Sequence, residues 1–160
     1  MALPVGAKAP DFTLKGRIDG EMKELRLSDV VSSEAVVLLF FPAAFSGACE
    51  KEMCETTQGL GTYAELGAAV YGISPDNPFA QAAWAKRADI GVTLLSDYQR
   101  EVTRAYDVVW PDFAGLGPGT ARAAFVIDRS GVVRYSEQMA VLGELPNFDA
   151  IRATLKSLVA

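Results

Sequence analysis

Cys49 and Cys54 are the two thiols of the 160-residue chain, and the first of them follows a short apolar run, 35–41. The run is rich in β-branched and aromatic residues, which predicts a strand that is buried on both faces. Pro42 closes the run because its nitrogen cannot donate to a sheet. Ser46 then precedes a long helical segment, so we expect Cys49 to lie in the first turn of a helix.

A thiol in the first turn of a helix is chemically active, because unpaired N–H groups and the positive end of the helix dipole favour thiolate over thiol. The chain contains no histidine, the usual base that activates a cysteine. Activation of Cys49 must therefore come from the helix terminus, from hydrogen bonds and from a guanidinium. The same absence excludes imidazole triads and histidine-ligated metals, and two thiols alone leave a tetrahedral metal site incomplete.

Arg122 is a candidate for that guanidinium, although an exposed edge-strand arginine or an ordinary salt bridge also remains open. It precedes the apolar stretch 123–127, where burial of a charge without an anionic partner is expensive, and a thiolate could be the partner. Glu52 lies one turn beyond Cys49 and is an alternative partner for Arg122 or for a nearby N–H group, although a solvated helix face explains it equally well. Trp110 and Phe113 stand in a glycine- and proline-rich loop, where an apolar collar, a subunit contact and ordinary packing all remain open.

Composition limits the class of protein. The length fits a single domain, residues 1–160, and half of the residues are apolar. The net charge of −5 argues against a phosphate-backbone partner, so we expect no nucleic acid binding. The chain shows neither a signal-peptide pattern nor a run of bilayer-spanning length. These features predict a cytoplasmic protein without a membrane partner, in which two cysteines are catalytic or metal-binding rather than structural.

The remaining elements are predicted from periodicity and turn signals. Strands at 11–15 and 22–27 form an N-terminal hairpin around the turn 16–20. A strand at 36–41, a helix at 48–66 and a strand at 68–74 form a βαβ unit, and Gly59 and Gly61 predict a kink or a break in its helix. Further predicted elements are a short turn or helix at 28–29, helices at 79–88 and 99–106, strands at 92–95, 122–127 and 132–136, and a C-terminal amphipathic helix capped by Asn147.

The pattern Pro42-x-x-x-Ser46-x-x-Cys49 resembles the active-site signature of the peroxiredoxins, in which the middle residue is usually threonine and sometimes serine. Cys54 resembles the resolving cysteine of the bacterioferritin-comigratory (Q-type) branch, while the E-type alkyl hydroperoxide reductases share much of the remaining pattern. Segments 6–14, 94–97 and 125–131 resemble the opening, the middle and the late hairpin of the family. The resemblance implies an α/β, thioredoxin-like fold, with a central mixed β-sheet flanked by helices and an added N-terminal hairpin.

The resemblance also implies a mechanism. Cys49 would reduce hydrogen peroxide or an organic hydroperoxide and become a sulfenic acid. Ser46, backbone N–H groups and Arg122 would stabilise the departing oxygen, since a lowered thiol pKa alone gives a net gain of only a few-fold. Pro42 would shape the loop and shield the thiolate. No metal, flavin or nucleotide cofactor is implied, and the protein would be a monomer or a homodimer.

Cys54 would then form a disulfide with Cys49, which a thioredoxin-like dithiol would reduce. In an intact helix, Cα atoms five residues apart lie about 8 to 9 Å from each other. That separation exceeds the roughly 7 Å limit for a disulfide, so this pairing requires the first turns of the helix to unwind. A one-cysteine peroxiredoxin with Cys54 as a bystander, a thioredoxin-like disulfide reductase, and a sensor or chaperone on the same scaffold remain as alternatives.

Overall fold

A seven-stranded mixed β-sheet runs through the centre of the molecule, whose computed structural model describes residues 2–159. The elements follow in the order β1 (Thr13–Ile18), β2 (Glu21–Arg26), α1 (Leu27–Val31), β3 (Ala35–Phe40), α2 (Gly47–Gln58), α3 (Leu60–Glu65), β4 (Ala68–Ser74), α4 (Pro78–Ala88), β5 (Thr93–Ser96), α5 (Glu101–Ala105), β6 (Val109–Trp110), β7 (Gly119–Thr120), β8 (Ala123–Ile127), β9 (Val133–Gln138) and α6 (Phe148–Val159). The strand order of the large sheet is β2-β1-β5-β4-β3-β8-β9. This architecture confirms the predicted thioredoxin-like α/β fold.

The strand β3 lies near the middle of the sheet, and all six of its residues are buried. It pairs in parallel with β4 and antiparallel with β8. Alternate side chains enter two different cores, with Leu38 and Phe40 on one face and Leu39 on the other. The continuous apolar run therefore fits a strand covered on both faces.

Helices cover both faces of the sheet. Leu27 and Val31 of α1 and Val102 of α5 pack in the first core. The opposite core receives side chains from α2, α3, α4 and α6, including Met53 and the fully buried Trp84. The strands β3, β4 and β5 are parallel, so their carboxyl ends meet at one edge of the sheet, where α2 and α4 begin.

The break predicted within the first long helix is present at Gly59, which separates α2 from α3. A second glycine, Gly72 on β4, lets α2 approach the sheet closely. A Cβ atom at Gly72 would lie 3.1 Å from the sulfur of Met53 and 2.8 Å from a methyl carbon of Leu94. The lack of a side chain at Gly72 therefore helps to set the height of α2, and of its cysteines, above the sheet.

Several predicted boundaries need correction. The N-terminal hairpin turns through two residues, Asp19 and Gly20, rather than through 16–20, because both adopt positive φ and close a tight turn. The helix predicted at 99–106 begins only at Glu101, since Arg100 is left-handed, with φ of 57°. The loop 110–119 is not wholly irregular, because β6 and β7 pair antiparallel at its ends.

None of the helices within residues 2–159 combines the length and the apolar character that a membrane crossing needs.

Candidate active site

Cys49 lies in the first turn of α2, as predicted, and its side chain is completely buried. The residue before the helix, Ser46, is extended, with φ of −87° and ψ of 146°. The first-turn N–H groups of a helix lack intrahelical partners, so this end of α2 presents partial positive charge. The thiol therefore lies where a negative charge is favoured.

Arg122 lies opposite the thiol and is 1% exposed. Its Nη2 donates to Cys49 Sγ at 3.1 Å, and its Nε donates to the carbonyl oxygen of Leu142 at 2.9 Å. Its Nη1 donates to Glu52 Oε2. The guanidinium thus contacts the sulfur, while the Leu142 carbonyl and Glu52 fix the orientation of its plane. The structure brings together the two residues, Cys49 and Arg122, that the sequence analysis paired.

Glu52 is fully buried one turn after Cys49, and it forms an ion pair with Arg122. Burial raises the pKa of Glu52 to about 7, against the lowering influence of Arg122. Burial opposes the charge of Arg122 as well, but the nearby Glu52 and Cys49 raise the pKa of Arg122 above its usual value. A charged guanidinium is therefore favoured beside the sulfur, and the solvated position considered for Glu52 is wrong.

Ser46 and Pro42 belong to the loop that connects β3 to α2. The Ser46 hydroxyl donates to the carbonyl oxygen of Ala43 at 2.9 Å, and within residues 2–159 no hydrogen bond links it to Cys49. Pro42 is buried two residues after the end of β3. Arg122 thus contacts the sulfur directly, whereas Ser46 contacts the loop, and a catalytic role for Ser46 stays a prediction.

Cys54 lies on the same uninterrupted helix as Cys49 and is half-buried. Its sulfur faces α4, where the thiol donates to the carbonyl oxygen of Ala88 at 3.7 Å. Both cysteines are free in this structure. The helical arrangement therefore keeps the two thiols apart.

The rim of the site is formed by an aromatic and charged cluster. Phe45 is 51% exposed, and its ring centroid lies 6.4 Å from that of Trp84 and 5.2 Å from the guanidinium carbon of Arg87. Glu50 accepts hydrogen bonds from Trp84 at 3.2 Å and from Arg87 at 2.5 Å. These contacts connect the loop 42–46 and α2 to α4.

Comparison with known proteins identifies the family. The AhpC/TSA family model matches residues 5–136. A chloroplastic 2-cysteine peroxiredoxin from Chattonella marina var. antiqua is 33% identical over 143 residues, covering 85% of this chain and 71% of the relative. The chain belongs to the AhpC/TSA family, the peroxiredoxins.

Two mycobacterial proteins extend the comparison. An alkyl hydroperoxide reductase E from Mycobacterium bovis is 35% identical over 137 residues, covering 84% of this chain and 85% of the relative. A crystal structure of peroxidoxin BcpB from Mycobacterium tuberculosis superimposes with a TM-score of 0.82 at 31% identity, covering 96% of this chain and 97% of the other. Membership of the peroxiredoxins indicates a thiol peroxidase, an oxidoreductase.

The sequence analysis missed one contact of this peroxiredoxin site and left open the roles of two other residues, Trp110 and Phe113. The contact from Arg122 to the Leu142 carbonyl uses a backbone atom twenty positions away, and no residue type signals it. Trp110 lies partly buried against the core on the α1 side of the sheet, which supports ordinary packing for that residue. Phe113 is half-buried and approaches Gly119, where an added Cβ would lie 2.8 Å from the Cβ of Phe113.

Proposed function

We propose that this peroxiredoxin reduces hydrogen peroxide and organic hydroperoxides with Cys49 as the attacking thiol. The observation that carries the proposal is the 3.1 Å contact between the Arg122 guanidinium and a completely buried Cys49 sulfur at a helix N-terminus. The guanidinium, whose Nη2 donates to the sulfur at 3.1 Å, would compensate the negative charge of a thiolate formed there. The thiolate is the nucleophilic form of cysteine.

The first step forms one bond and breaks one bond. The thiolate of Cys49 attacks the terminal oxygen of the hydroperoxide, an S–O bond forms, and the O–O bond breaks. The sulfur is oxidised to a sulfenic acid, and the departing alkoxide or hydroxide takes up a proton and leaves as alcohol or water. Arg122 and the free N–H groups at the start of α2 are positioned to stabilise the negative charge that develops on the departing oxygen.

We propose that Cys54 completes the reaction. Its thiol attacks the sulfenic sulfur of Cys49, the S–O bond breaks, and the oxygen leaves as water with the thiol proton. A thioredoxin-like dithiol then restores both cysteines by thiol–disulfide exchange. Because the two residues share one helix, this step requires the first turns of α2 to unwind, which separates Glu52 from Arg122 and Glu50 from Arg87.

A one-cysteine peroxiredoxin is the second candidate. The observation that favours it is the direction of the Cys54 sulfur, which contacts Ala88 on α4 while α2 is continuous between the two cysteines. In that mechanism Cys54 does not react, and an external thiol reduces the Cys49 sulfenic acid directly.

Stopped-flow measurements of peroxide consumption by the wild type, Cys49→Ser and Cys54→Ser test these assignments. We expect Cys49→Ser to lose activity, and Cys54→Ser to react once and then stop when a thioredoxin-like protein is the donor. Peroxide reduction by Cys49→Ser at the wild-type rate would overturn the proposal.

Mass spectrometry of peroxide-treated wild type separates the two candidates. A Cys49–Cys54 linkage supports the two-cysteine mechanism. Sulfenic or sulfinic Cys49 without that linkage supports the one-cysteine mechanism.

A further inference from the structure

The loop 42–46, which leads from β3 to Cys49, has a strained backbone. Phe45 adopts a φ of 65°, in the left-handed region that favours glycine. A bulky side chain at positive φ is uncommon, and it persists only where the surrounding structure imposes that conformation. Some contact must therefore keep this loop in place before Ser46 and the start of α2.

Asp76 supplies that contact from the turn after β4. Its Oδ2 accepts a hydrogen bond from the backbone N–H of Ala44 at 2.7 Å, directly before the strained residue. The two residues are 32 positions apart in sequence. A carboxylate is a strong acceptor for a backbone N–H, because the bond is charge-assisted. The contact joins the loop 42–46 to the turn after β4.

Asp76 is itself fixed by a buried network. The same Oδ2 accepts a hydrogen bond from the hydroxyl of Ser74 at 2.7 Å, and Ser74 is completely buried. Gln81 Nε2 donates both to Ser74 Oγ at 2.8 Å and to the carbonyl oxygen of Leu95 at 2.9 Å. Ser96 Oγ donates to the backbone oxygen of Asp76 at 2.7 Å. Asp76 is thus anchored to β4, α4 and β5.

We propose that Asp76 is a positioning residue for the thiol: it keeps the loop 42–46 in its strained form and thereby sets the start of α2 opposite Arg122. The inference rests on the proposed peroxidase function. The loop relaxes when the contact to Ala44 is lost, and the first turn of α2, with Cys49, moves relative to the guanidinium. A misplacement of about 1 Å at a reacting group costs on the order of 100-fold in rate.

The variants Asp76→Ala and Asp76→Asn test this inference. Asparagine retains a side-chain oxygen that accepts from both Ala44 and Ser74, whereas alanine removes the acceptor. We expect Asp76→Ala to lower the second-order rate constant for Cys49 oxidation by roughly 10- to 100-fold, and Asp76→Asn to recover most of the wild-type rate. A merely destabilising substitution would not be rescued in this way.

Asp128→Ala is the matched control. Asp128 also accepts backbone N–H groups in a turn, from Ser130 and Val132, but it follows β8 at the opposite end of the sheet. We expect this variant to react with peroxide at the wild-type rate. Equal loss in Asp76→Ala and Asp128→Ala, or in Asp76→Ala and Asp76→Asn, would overturn the inference.

Amide hydrogen exchange measured by NMR tests the contact without any peroxide reaction. We expect the Ala44 amide to exchange at least tenfold faster in Asp76→Ala than in the wild type, and at nearly the wild-type rate in Asp76→Asn. Unchanged exchange in Asp76→Ala would show that the contact does not order the loop. Inactive wild type with the expected exchange pattern would instead refute the proposed function and leave the contact established.

Discussion

Two helices, α2 and α4, begin at the same edge of the sheet, after the neighbouring parallel strands β3 and β4, but their first turns differ. Asn77 precedes α4, and its side-chain oxygen accepts from the N–H of Ala80 at 2.8 Å, while Pro78 occupies the first turn. Ser46 precedes α2, but its hydroxyl bonds to Ala43, outside the helix. The start of α4 is therefore capped, whereas α2 keeps its N–H groups for another acceptor.

The two helices also differ in the charge of the polar residue that each one buries. In α4, Gln81 is uncharged and donates to Ser74 and Leu95. In α2, Glu52 is an acid with one oxygen bonded to Arg122. Each side chain leaves its Oε1 without a hydrogen-bond partner among the described residues, so the two differ in charge: Gln81 is neutral, whereas Glu52 and Arg122 concentrate charge around a thiol. The difference indicates that α2 is organised for reaction at a cost in stability.

Removal of the cation opposite α2 has the largest expected effect. Arg122→Ala removes the donor to Cys49 and leaves Glu52 buried without its partner. We expect the rate constant with peroxide to fall by about 100- to 1000-fold, and the free energy of unfolding to fall by about 3 kcal/mol at pH 8. Stopped-flow kinetics and urea denaturation measure the two effects.

A double variant separates the two consequences of that change. In Arg122→Ala/Glu52→Gln the unpaired buried charge is gone, so stability should recover in part while the rate stays low. Recovery of the rate together with stability would contradict a direct role for Arg122. Arg134→Ala is the control, because it breaks only an exposed ion pair with Asp128, worth at most about 1 kcal/mol.

The pH dependence of stability distinguishes the two buried polar residues. Burial raises the pKa of Glu52 in the folded state to about 7 from its ordinary value of 4.5, so the folded state binds its proton more tightly than the unfolded state. The stabilisation is complete below pH 4.5 and is lost as the pH rises to about 7. The change amounts to about 3 kcal/mol. Urea denaturation of the wild type and Glu52→Gln at pH 5, 6, 7 and 8 measures it.

We expect the stability of the wild type relative to Glu52→Gln to decrease over this series and then level off. Gln81→Ala is the matched change in α4, and it should destabilise by a similar amount at every pH because the Gln81 side chain does not titrate. If the difference in the free energy of unfolding between the wild type and Glu52→Gln stayed constant from pH 5 to 8, Glu52 would be ionised throughout that range, which would contradict the prediction.

The sequence predicted those parts of the fold that depend on local signals. The apolar run gave β3, the glycines placed the break at Gly59, and Asn147 caps the last helix, where its Oδ1 accepts from Ala150 at 3.0 Å. These features follow from composition and spacing over a few residues. The pairing of Arg122 with Cys49, 73 positions apart, was instead implied by the resemblance to the peroxiredoxins.

The remaining features of the site depend on contacts between distant segments. The Leu142 carbonyl lies 20 positions from its donor, Arg122. The Asp76 carboxylate lies 32 positions from its donor, the N–H of Ala44. Glu52 could not be assigned to a buried position, because the sequence did not fix which side of α2 faces the sheet. The position of Ser46 before α2 was predicted, but the direction of its hydroxyl depends on the loop conformation, which tertiary contacts impose.

The smallest expected effects come from Ser46 and Asn77, the residues that precede α2 and α4. The change at Ser46 tests the reaction rate, whereas the change at Asn77 tests the stability of the fold. Ser46→Ala removes no cap, so we expect a loss of at most about 1 kcal/mol of stability. If the hydroxyl donates to bound peroxide, the same change lowers the rate constant about tenfold. Asn77→Ala removes the α4 cap, so we expect a loss of about 1 kcal/mol with the rate unchanged.

Stopped-flow kinetics and urea denaturation of both variants provide this test, with Ser46→Thr and Asn147→Ala as controls. Threonine keeps the hydroxyl and should restore the rate, while Asn147→Ala removes the α6 cap and should resemble Asn77→Ala. An unchanged rate in Ser46→Ala would mean that the hydroxyl serves only the loop, through its bond to Ala43. The open start of α2 would then act through its backbone N–H groups and Arg122 alone, because these donors do not depend on the side chain of residue 46.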